Sequence, residues 1–315
     1  MKVTVVGAGN VGATCAQRIL EGGIADVYLV DVVEGLAEGK ALDLAQAAPL
    51  VGHSRRIAGG QGYEGVAGSD VVVITAGKPR QPGMSRDDLL SVNGRIVAAI
   101  ARQAMAVAPD AIFIVVTNPL DVTTYVVRRI TGLPRARVMG MAGMLDTARF
   151  RTFVAWRLGC SAEDVSAMVL GGHGDSMVPI LSHATVAGVP LTQLLSVEDL
   201  HSIVERTREG GGEVVRLLKT GSAYYAPAAA VAEMVAAIAA DEKRLVPVSV
   251  ELEGEYGIEG VCVGVPVVLG KGGAERVVEM RLPAAELEAL RRSAKLVADA
   301  TEAWHRIAGD DPAAW

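Results

Sequence analysis

Short apolar runs alternate with longer amphipathic stretches through the first half of the chain. The apolar runs are rich in Val and Ile and occupy residues 3–6, 27–31, 70–75 and 111–117. Each is followed by a stretch with helical periodicity. Continuous apolar strands are typical of a parallel sheet that helices cover on both faces. The pattern therefore predicts an α/β fold that begins with a doubly wound parallel sheet of the Rossmann type.

Stop signals follow three of the predicted helices. Gly22, Pro49 and Gly132 come after the first, second and fourth helical stretches. Glycine is common just beyond a helix, and proline cannot continue one. We expect the three helices to end at these residues.

The pattern changes after residue 141. Short strand-like segments appear at residues 166–172, 178–181 and 184–191. A long helical stretch follows them, and we expect Gly210, Gly211 and Gly212 to break it.

The last part of the chain predicts antiparallel strands and a helix. Valine-rich segments with glycine turns occupy residues 250–273, and residues 284–308 have the periodicity of an amphipathic helix. We therefore predict two domains, a Rossmann domain at residues 1–141 and an α+β domain at residues 142–315.

The composition suits an α/β enzyme. The chain has 315 residues, of which 50% are hydrophobic and 21% charged, with 36 glycines. That length allows two average domains, and the composition is unlike that of disordered, collagen-like or coiled-coil chains. Because the net charge is −6, no long-range positive field favours nucleic acid or a membrane surface as a partner.

The most apolar later stretch predicts a buried helix. Residues 224–240 contain Pro227 and Glu233 and run into the charged residues 241–244. A membrane span needs roughly 20 apolar residues with few or no charges, so we expect no membrane partner.

The start of the chain and its cysteines favour a cytoplasmic location. A strand and a glycine turn begin at once and leave no room for a signal peptide. Cys15, Cys160 and Cys262 are odd in number, widely separated and in no CxxC pattern, which argues against a disulfide framework or a zinc site. We expect a reducing compartment and no metal.

The first strand leads into the hexapeptide GAGNVG. Gly7, Gly9 and Gly12, with Asn10 and Val11 between them, stand at the entrance to the first helix. Glycines at this spacing permit a tight turn, the approach of a pyrophosphate and close packing of helix on strand. An ordinary glycine turn is the alternative, because the bare motif is a weak signal.

Asp31 closes the next strand, about twenty residues after the glycines. A carboxylate there can hydrogen-bond both hydroxyls of the adenosine ribose and would repel a 2′-phosphate. Val32, Val33 and Glu34 follow, and none of them is an arginine that could bind that phosphate. The pattern favours NAD over NADP, although a turn aspartate is the alternative for Asp31.

Two further motifs carry candidate chemistry. His173 lies between glycines in GGHGDS, after an apolar run, where an imidazole can face a cleft and act as acid or base. Asp146 and Arg149 stand three residues apart in LDTARFR, so a helix would place them on one face. A helix cap and a surface arginine are the alternative for this pair.

Taken together, GAGNVG, TNPLD, LDTARFR and GGHGDS resemble the lactate/malate dehydrogenase family. The motifs occur in the family's order and span most of the chain, which makes the set far more specific than any member. The resemblance implies a Rossmann NAD-binding domain followed by a substrate-binding, catalytic domain. It implies that His173 is the acid/base, that Asp146 orients it and stabilises its imidazolium, and that Arg149 binds the substrate's C1 carboxylate.

The same resemblance implies roles for three other residues. Asn118, in TNPLD, would contact the substrate oxygen and the cofactor, with a simple Asn-Pro turn as the alternative. Arg86, in the loop AGKPRQPGMSR, would polarise the reacting C2 oxygen. Arg80, in the same loop, would pair with a second carboxylate of the substrate. Relatives specific for lactate, a substrate without a second carboxylate, typically carry glutamine at this position. A solvated loop arginine is the alternative for Arg80.

Arg80 and the motifs imply the NAD-dependent, reversible oxidation of (S)-malate to oxaloacetate, a reaction of the tricarboxylic acid cycle. A lactate or other 2-hydroxy-monocarboxylate dehydrogenase is the nearest alternative, and a non-catalytic NAD-binding module is another. The resemblance also implies a homo-oligomer, with a tetramer favoured over a dimer. The small-residue helix at residues 34–49 could pack on a partner subunit or be buried within one chain.

Overall fold

The computed structural model describes residues 1–79 and 84–315. Arg80 therefore lies outside the described residues. The strands run as follows: β1 (Lys2–Val6), β2 (Asp26–Val30), β3 (Ile57–Gly60), β4 (Val71–Ile74), β5 (Ile112–Val115), β6 (Val138–Gly140), β7 (Val165–Ser166), β8 (Val169–Leu170), β9 (Val178–Pro179), β10 (Thr185–Val186), β11 (Val189–Pro190), β12 (Arg244–Glu253), β13 (Glu259–Gly270) and β14 (Gly273–Val277).

The α-helices are α1 (Asn10–Glu21), α2 (Leu36–Val51), α3 (Arg86–Val107), α4 (Leu120–Thr131), α5 (Ala142–Leu158), α6 (Leu191–Leu194), α7 (Val197–Leu218), α8 (Tyr225–Ala239) and α9 (Ala284–Ala308). Short 3-10 turns occur at Glu64–Val66, Arg135–Arg137, Leu181–His183, Glu255–Gly257 and Pro312–Ala314.

One nine-stranded sheet organises the molecule, in the order β14-β13-β12-β6-β5-β4-β1-β2-β3. Strands β1 to β6 are parallel, and every residue of β4 and β5 is buried, as the continuous apolar runs predict. The predicted α/β fold with a doubly wound Rossmann sheet is confirmed. The strand order reverses between β1 and β4, which is where such sheets bind ligands beyond their carboxyl ends.

The antiparallel strands of the second half extend this sheet. β12, β13 and β14 pair with one another in antiparallel fashion, as predicted. β12 also pairs with β6 through Ser249 and Gly140, so hydrogen-bonded strands join the two predicted domains. At Gly140 a Cβ would lie 2.5 Å from Leu120 Cδ2 and 3.1 Å from Ser249 Cβ. Only glycine fits at this junction.

Most of the predicted helix ends are confirmed. α1 ends at Glu21 with Gly22 as its C-cap, and α4 ends at Thr131 with Gly132 in the left-handed conformation. The prediction for Pro49 is wrong, because α2 continues through it to Val51 and ends at Gly52 with φ +82°. Pro49 removes only one backbone hydrogen-bond donor near the end of the helix. Gly52 ends the helix because its positive φ turns the chain out of the helical path.

The prediction that glycines break the long helical stretch is also wrong. α7 runs without interruption through Gly210, Gly211 and Gly212. Its Ser196 hydroxyl caps the N-terminus by accepting a hydrogen bond from the Asp199 amide. Intrinsic propensity is a weak determinant, and packing of the buried face of α7 overrides it.

Two other helices agree with the sequence pattern. α8 is the predicted buried helix, and α9 spans the predicted amphipathic segment. Within residues 1–79 and 84–315, no helix has the length and apolar character that crossing a bilayer requires.

We expect the contact between α3 and α9 to be sensitive to added volume. Gly94 of α3 faces the fully buried Trp304 of α9, and a Cβ at residue 94 would lie 2.2 Å from the Trp304 Cζ3 atom. Gly94→Ala should lower the free energy of unfolding by about 2–3 kcal/mol, because the indole must move. Arg95→Ala, at an exposed position next to it, should change stability by less than about 0.5 kcal/mol. Urea unfolding of both variants measures this, and equal effects would contradict the packing argument.

Candidate active site

His173 lies in the loop between β8 and β9, and its backbone is held from three sides. Its amide donates to Asp121 Oδ2 at 2.7 Å, and the Gly172 amide donates to Ser293 Oγ at 2.8 Å. Gly171 exchanges backbone hydrogen bonds with Gly264 of β13 at 2.9 and 3.0 Å. Helix α4, helix α9 and the extended sheet therefore fix the main chain at the imidazole.

Asp146 connects His173 to Arg149. Its Oδ2 lies 2.8 Å from His173 Nδ1, and its Oδ1 accepts a hydrogen bond of 3.2 Å from Arg149 Nη1. The Asp146 side chain is 2% exposed, and those of His173 and Arg149 are 13% and 15% exposed. α5 places Asp146 and Arg149 on one face, as their spacing predicts, and neither residue caps the helix.

The surroundings of His173 favour its charged form. Burial by itself lowers the His173 pKa, but the charge of Asp146 and its hydrogen bond to the ring outweigh burial and raise the pKa above 6.5. Arg149 opposes this effect, and Asp121 adds to it weakly. Because Asp146 accepts a hydrogen bond from Nδ1–H, Nε2 is the ring nitrogen left to exchange a proton with a ligand.

A second buried carboxylate supports the same loop. Asp121 is 5% exposed, and besides the His173 amide it accepts a hydrogen bond of 2.7 Å from Ser249 Oγ on β12. Burial raises the Asp121 pKa, although both hydrogen bonds oppose the rise. The sequence patterns predict no role for Asp121. It is the last residue of TNPLD, but its partners are distant in sequence and no local pattern indicates them.

Asn118 begins the turn into α4. Its side chain is exposed, and its carbonyl accepts a hydrogen bond of 2.6 Å from Asn93 Nδ2. Asn93 Oδ1 accepts from the Lys78 amide at 2.8 Å, and its Nδ2 also donates to the Lys78 carbonyl at 3.1 Å. The buried Asn93 thus ties the loop after β4 to the turn after β5. Sequence reasoning missed this residue, since an asparagine inside a long helix gives no local signal.

Arg86 is the first residue of α3, next to the histidine loop. Its Nη2 lies 2.9 Å from Asp175 Oδ2, and both side chains are largely exposed. The Ser85 hydroxyl and the Asp88 carboxylate form a capping box that fixes this helix end. The structure therefore places Arg86 against the loop that carries His173.

The glycine loop after β1 has the shape that a dinucleotide requires. Gly7 has φ +103°, and a Cβ there would lie 2.7 Å from the Ala76 amide nitrogen. A Cβ at Gly12 would lie 1.8 Å from the Gly7 carbonyl oxygen, so helix and loop touch. At Gly9 a Cβ would meet nothing within 4 Å, and α1, which starts at Asn10, has no acidic residue in its first turn. The open face of Gly9 before a helix N-terminus fits a pyrophosphate.

Asp31 lies at the carboxyl end of β2 beside this loop. Its Oδ2 accepts from the Ala8 amide at 2.7 Å, and its Oδ1 accepts from the Val33 amide at 3.0 Å. Lys40 Nζ donates to the Ala8 carbonyl at 2.7 Å, so charged side chains hold both the amide and the carbonyl of Ala8. The contact with Val33 is the one expected of a turn aspartate, the alternative interpretation of Asp31. The contact of Asp31 with the ribose stays a prediction.

The raised pKa of His173 can be measured directly. NMR titration of the imidazole C–H signals should give a pKa above 6.5, and Asp146→Asn should lower it because the carboxylate charge is lost. Asp175→Asn serves as the matched control, since Asp175 is close in sequence but bonds Arg86 instead of the ring. An unchanged pKa in Asp146→Asn would contradict the electrostatic account.

Comparisons with known proteins agree with these motifs. Residues 1–140 match the family model described as lactate/malate dehydrogenase, NAD binding domain, and residues 143–305 match the alpha/beta C-terminal domain of the same family. The malate dehydrogenase of Chloroherpeton thalassium is 54% identical over 303 residues, which are 96% of this chain and 98% of that protein. The malate dehydrogenase of Trichormus variabilis is 55% identical over 304 residues, 96% of this chain and 94% of that one.

Solved structures give the same relationship. The malate dehydrogenase of Salinibacter ruber has a TM-score of 0.93 and 47% identity, over 98% of both chains. The lactate dehydrogenase of Cryptosporidium parvum, in complex with lactic acid and NAD, has a TM-score of 0.93 and 41% identity, over 96% of this chain and 97% of that one. The resemblance predicted from four short motifs is confirmed, and the chain belongs to the lactate/malate dehydrogenase family.

Proposed function

We propose that this protein catalyses the NAD-dependent, reversible oxidation of (S)-malate to oxaloacetate. The observation that carries the proposal is the contact of Arg149, the buried Asp146 and His173, in which one carboxylate meets both an imidazole and a guanidinium. The high identity to malate dehydrogenases over nearly the whole chain supports the same activity. Its cofactor is NAD, which the glycine loop and the family's NAD-binding domain fit.

His173 is the general base and acid of the proposed reaction. The C2 hydroxyl of malate loses its proton to Nε2 of the neutral imidazole as the C2–H bond breaks, and the C2–O bond becomes a carbonyl. Bound NAD supplies the hydride acceptor at its nicotinamide ring. Asp146 holds the ring through Nδ1 and stabilises the imidazolium that forms. In the reverse direction the imidazolium returns its proton to the oxygen of the carbonyl.

Arg149 binds the C1 carboxylate of the substrate. A guanidinium has five N–H donors in one plane, and among the described residues Arg149 uses one of them, toward Asp146. Another edge of the fork can make a bidentate contact that matches a planar carboxylate. Burial lowers the pKa of Arg149, while Asp146 opposes that effect. A partly desolvated cation of this kind binds an anion more strongly than an exposed one.

The remaining site residues act on the oxygen atoms and the second carboxylate. Arg86 stabilises the negative charge that grows on the C2 oxygen during reduction, and Asn118 contacts that oxygen and the cofactor. Arg80, outside the described residues, pairs with the distal carboxylate. Without a second carboxylate, its charge would be enclosed without a counter-ion, at a cost of about 3–5 kcal/mol.

The fold alone does not separate this activity from its nearest alternative. A malate and a lactate dehydrogenase match the chain with the same TM-score of 0.93. The identity of residue 80 therefore supports the choice of a dicarboxylate. A non-catalytic NAD-binding module does not explain why a histidine, an aspartate and an arginine lie in contact and largely out of solvent.

We also propose a cytoplasmic homotetramer that serves the tricarboxylic acid cycle. The three cysteines are free, which supports a reducing compartment. Leu42, Leu50 and Val51 of α2 are 50–89% exposed, and this supports burial of that helix face against another subunit. The choice of a tetramer over a dimer rests on the family resemblance.

Substrate preference tests the proposal. NADH oxidation should be far more efficient with oxaloacetate than with pyruvate, and Arg80→Gln should lower kcat/KM for oxaloacetate by about two to three powers of ten because the ion pair is lost. Arg95→Gln, an exposed arginine of α3, is the matched control and should change neither value. A higher kcat/KM for pyruvate in the unmodified protein would favour the monocarboxylate alternative.

Replacement of the histidine tests the mechanism. His173→Asn should lower kcat about a thousandfold, because the proton acceptor is lost, while NADH binding measured by fluorescence stays close to that of the unmodified protein. His201→Asn, at an exposed position on α7, should keep full turnover. Full activity of His173→Asn would exclude the proposed base.

A further inference from the structure

Two glycines of helix α7, Gly210 and Gly211, face the side chain of Arg149. A Cβ at Gly210 would lie 3.0 Å from Arg149 Cδ and 3.5 Å from its Nε. A Cβ at Gly211 would lie 3.6 Å from Nη2 and 3.8 Å from Nη1. The arginine therefore lies directly against the backbone of α7 along both its stem and its guanidinium.

Helix formation gives no reason for these glycines. Glycine is a weak helix former, and three in succession within a helix make it less stable than alanines would. Gly212 is exposed, and a Cβ there would meet Arg216 Nη1 at 3.4 Å, at the end of a flexible surface side chain. Gly210 is buried, so a side chain at this position would affect the packing of Arg149 against the helix.

The position of the guanidinium depends on contacts from two sides. α5 supplies the Asp146 carboxylate, which accepts a hydrogen bond of 3.2 Å from Arg149 Nη1, and α7 supplies the backbone at Gly210 and Gly211. A bidentate contact with a carboxylate needs the guanidinium plane in a fixed orientation. Displacements of a few tenths of an ångström at such a contact weaken the binding of a substrate that must also meet an acid/base group.

We infer that Gly210, and to a lesser degree Gly211, are positioning residues for the substrate-binding guanidinium of Arg149. Their lack of side chains allows Arg149 to lie against α7 with its fork turned to the substrate carboxylate. The inference rests on the proposed function, because it assigns Arg149 to the carboxylate next to the reacting carbon. Every 2-keto acid has that carboxylate, so the inference does not depend on the choice between oxaloacetate and pyruvate.

A graded series of alanine variants tests the inference. Gly210→Ala should raise the KM for oxaloacetate about tenfold, because the arginine stem must move. Gly211→Ala, with an ordinary contact distance, should change it by less than about twofold. Gly212→Ala is the matched control within the same helix and should leave it unchanged. The KM for NADH and the melting temperature show whether each variant is folded and binds its cofactor, and Gly210→Ala should leave the KM for NADH unchanged.

A double variant separates positioning from a general effect on the fold. In an Arg149→Ala background, Gly210→Ala should have no further effect on KM, because the side chain that it displaces is absent. If Gly210→Ala is too unstable to assay, Gly211→Val should raise KM above the value for Gly211→Ala, because its methyl groups extend beside the guanidinium.

Three results would overturn the inference. They are equal KM values for the Gly210→Ala and Gly212→Ala variants, an undiminished effect of Gly210→Ala in the Arg149→Ala background, and equal KM values for the valine and alanine variants at position 211. If the unmodified protein prefers pyruvate, the proposed substrate is wrong and the same series is measured with pyruvate. The two failures are therefore distinguishable.

Discussion

The site depends on one buried negative charge. Asp146 has almost no contact with solvent, and each of its carboxylate oxygens faces a different nitrogen donor, on His173 and on Arg149. Removal of one partner from a buried ion pair costs about 3–5 kcal/mol, since a charge is left without compensation. The carboxylate therefore determines where the His173 imidazole and the Arg149 guanidinium lie, which are the proposed proton acceptor and the proposed group for the substrate anion. Because α5 carries two of the three residues, a single helix sets the distance between the two functions.

Asp121 acts on the main chain of the histidine loop much as Asp146 acts on the ring. Its carboxylate accepts hydrogen bonds from the His173 amide and the Ser249 hydroxyl, so it connects α4, the histidine loop and β12. Ser293 of α9 adds a further hydrogen bond to the loop. A site whose main chain and side chain are both held before the substrate arrives needs little rearrangement during the reaction.

The sequence predicted the parts of this arrangement that depend on short-range patterns. Apolar runs predicted the parallel strands, and the spacing of Asp146 and Arg149 predicted their common face. Helices continue through Pro49 and through the glycines of α7, contrary to the prediction, because local propensity is weaker than packing. The contacts of Asp121 and Asn93 could not be predicted, since they join residues that only the tertiary fold brings together. The role of Arg80 stays a prediction from the family resemblance.

The junction between β6 and β12 has a consequence for how the cleft can open and close. Ser249 pairs with Gly140 at this junction and also donates to Asp121 beneath the histidine loop. Two lobes joined by a flexible linker could swing apart as rigid bodies, but lobes that share a continuous sheet would have to break ladder hydrogen bonds to do so. A displacement of β12 relative to β6 would therefore also move the Ser249 hydroxyl away from Asp121, and Asp121 is the carboxylate that holds the His173 amide.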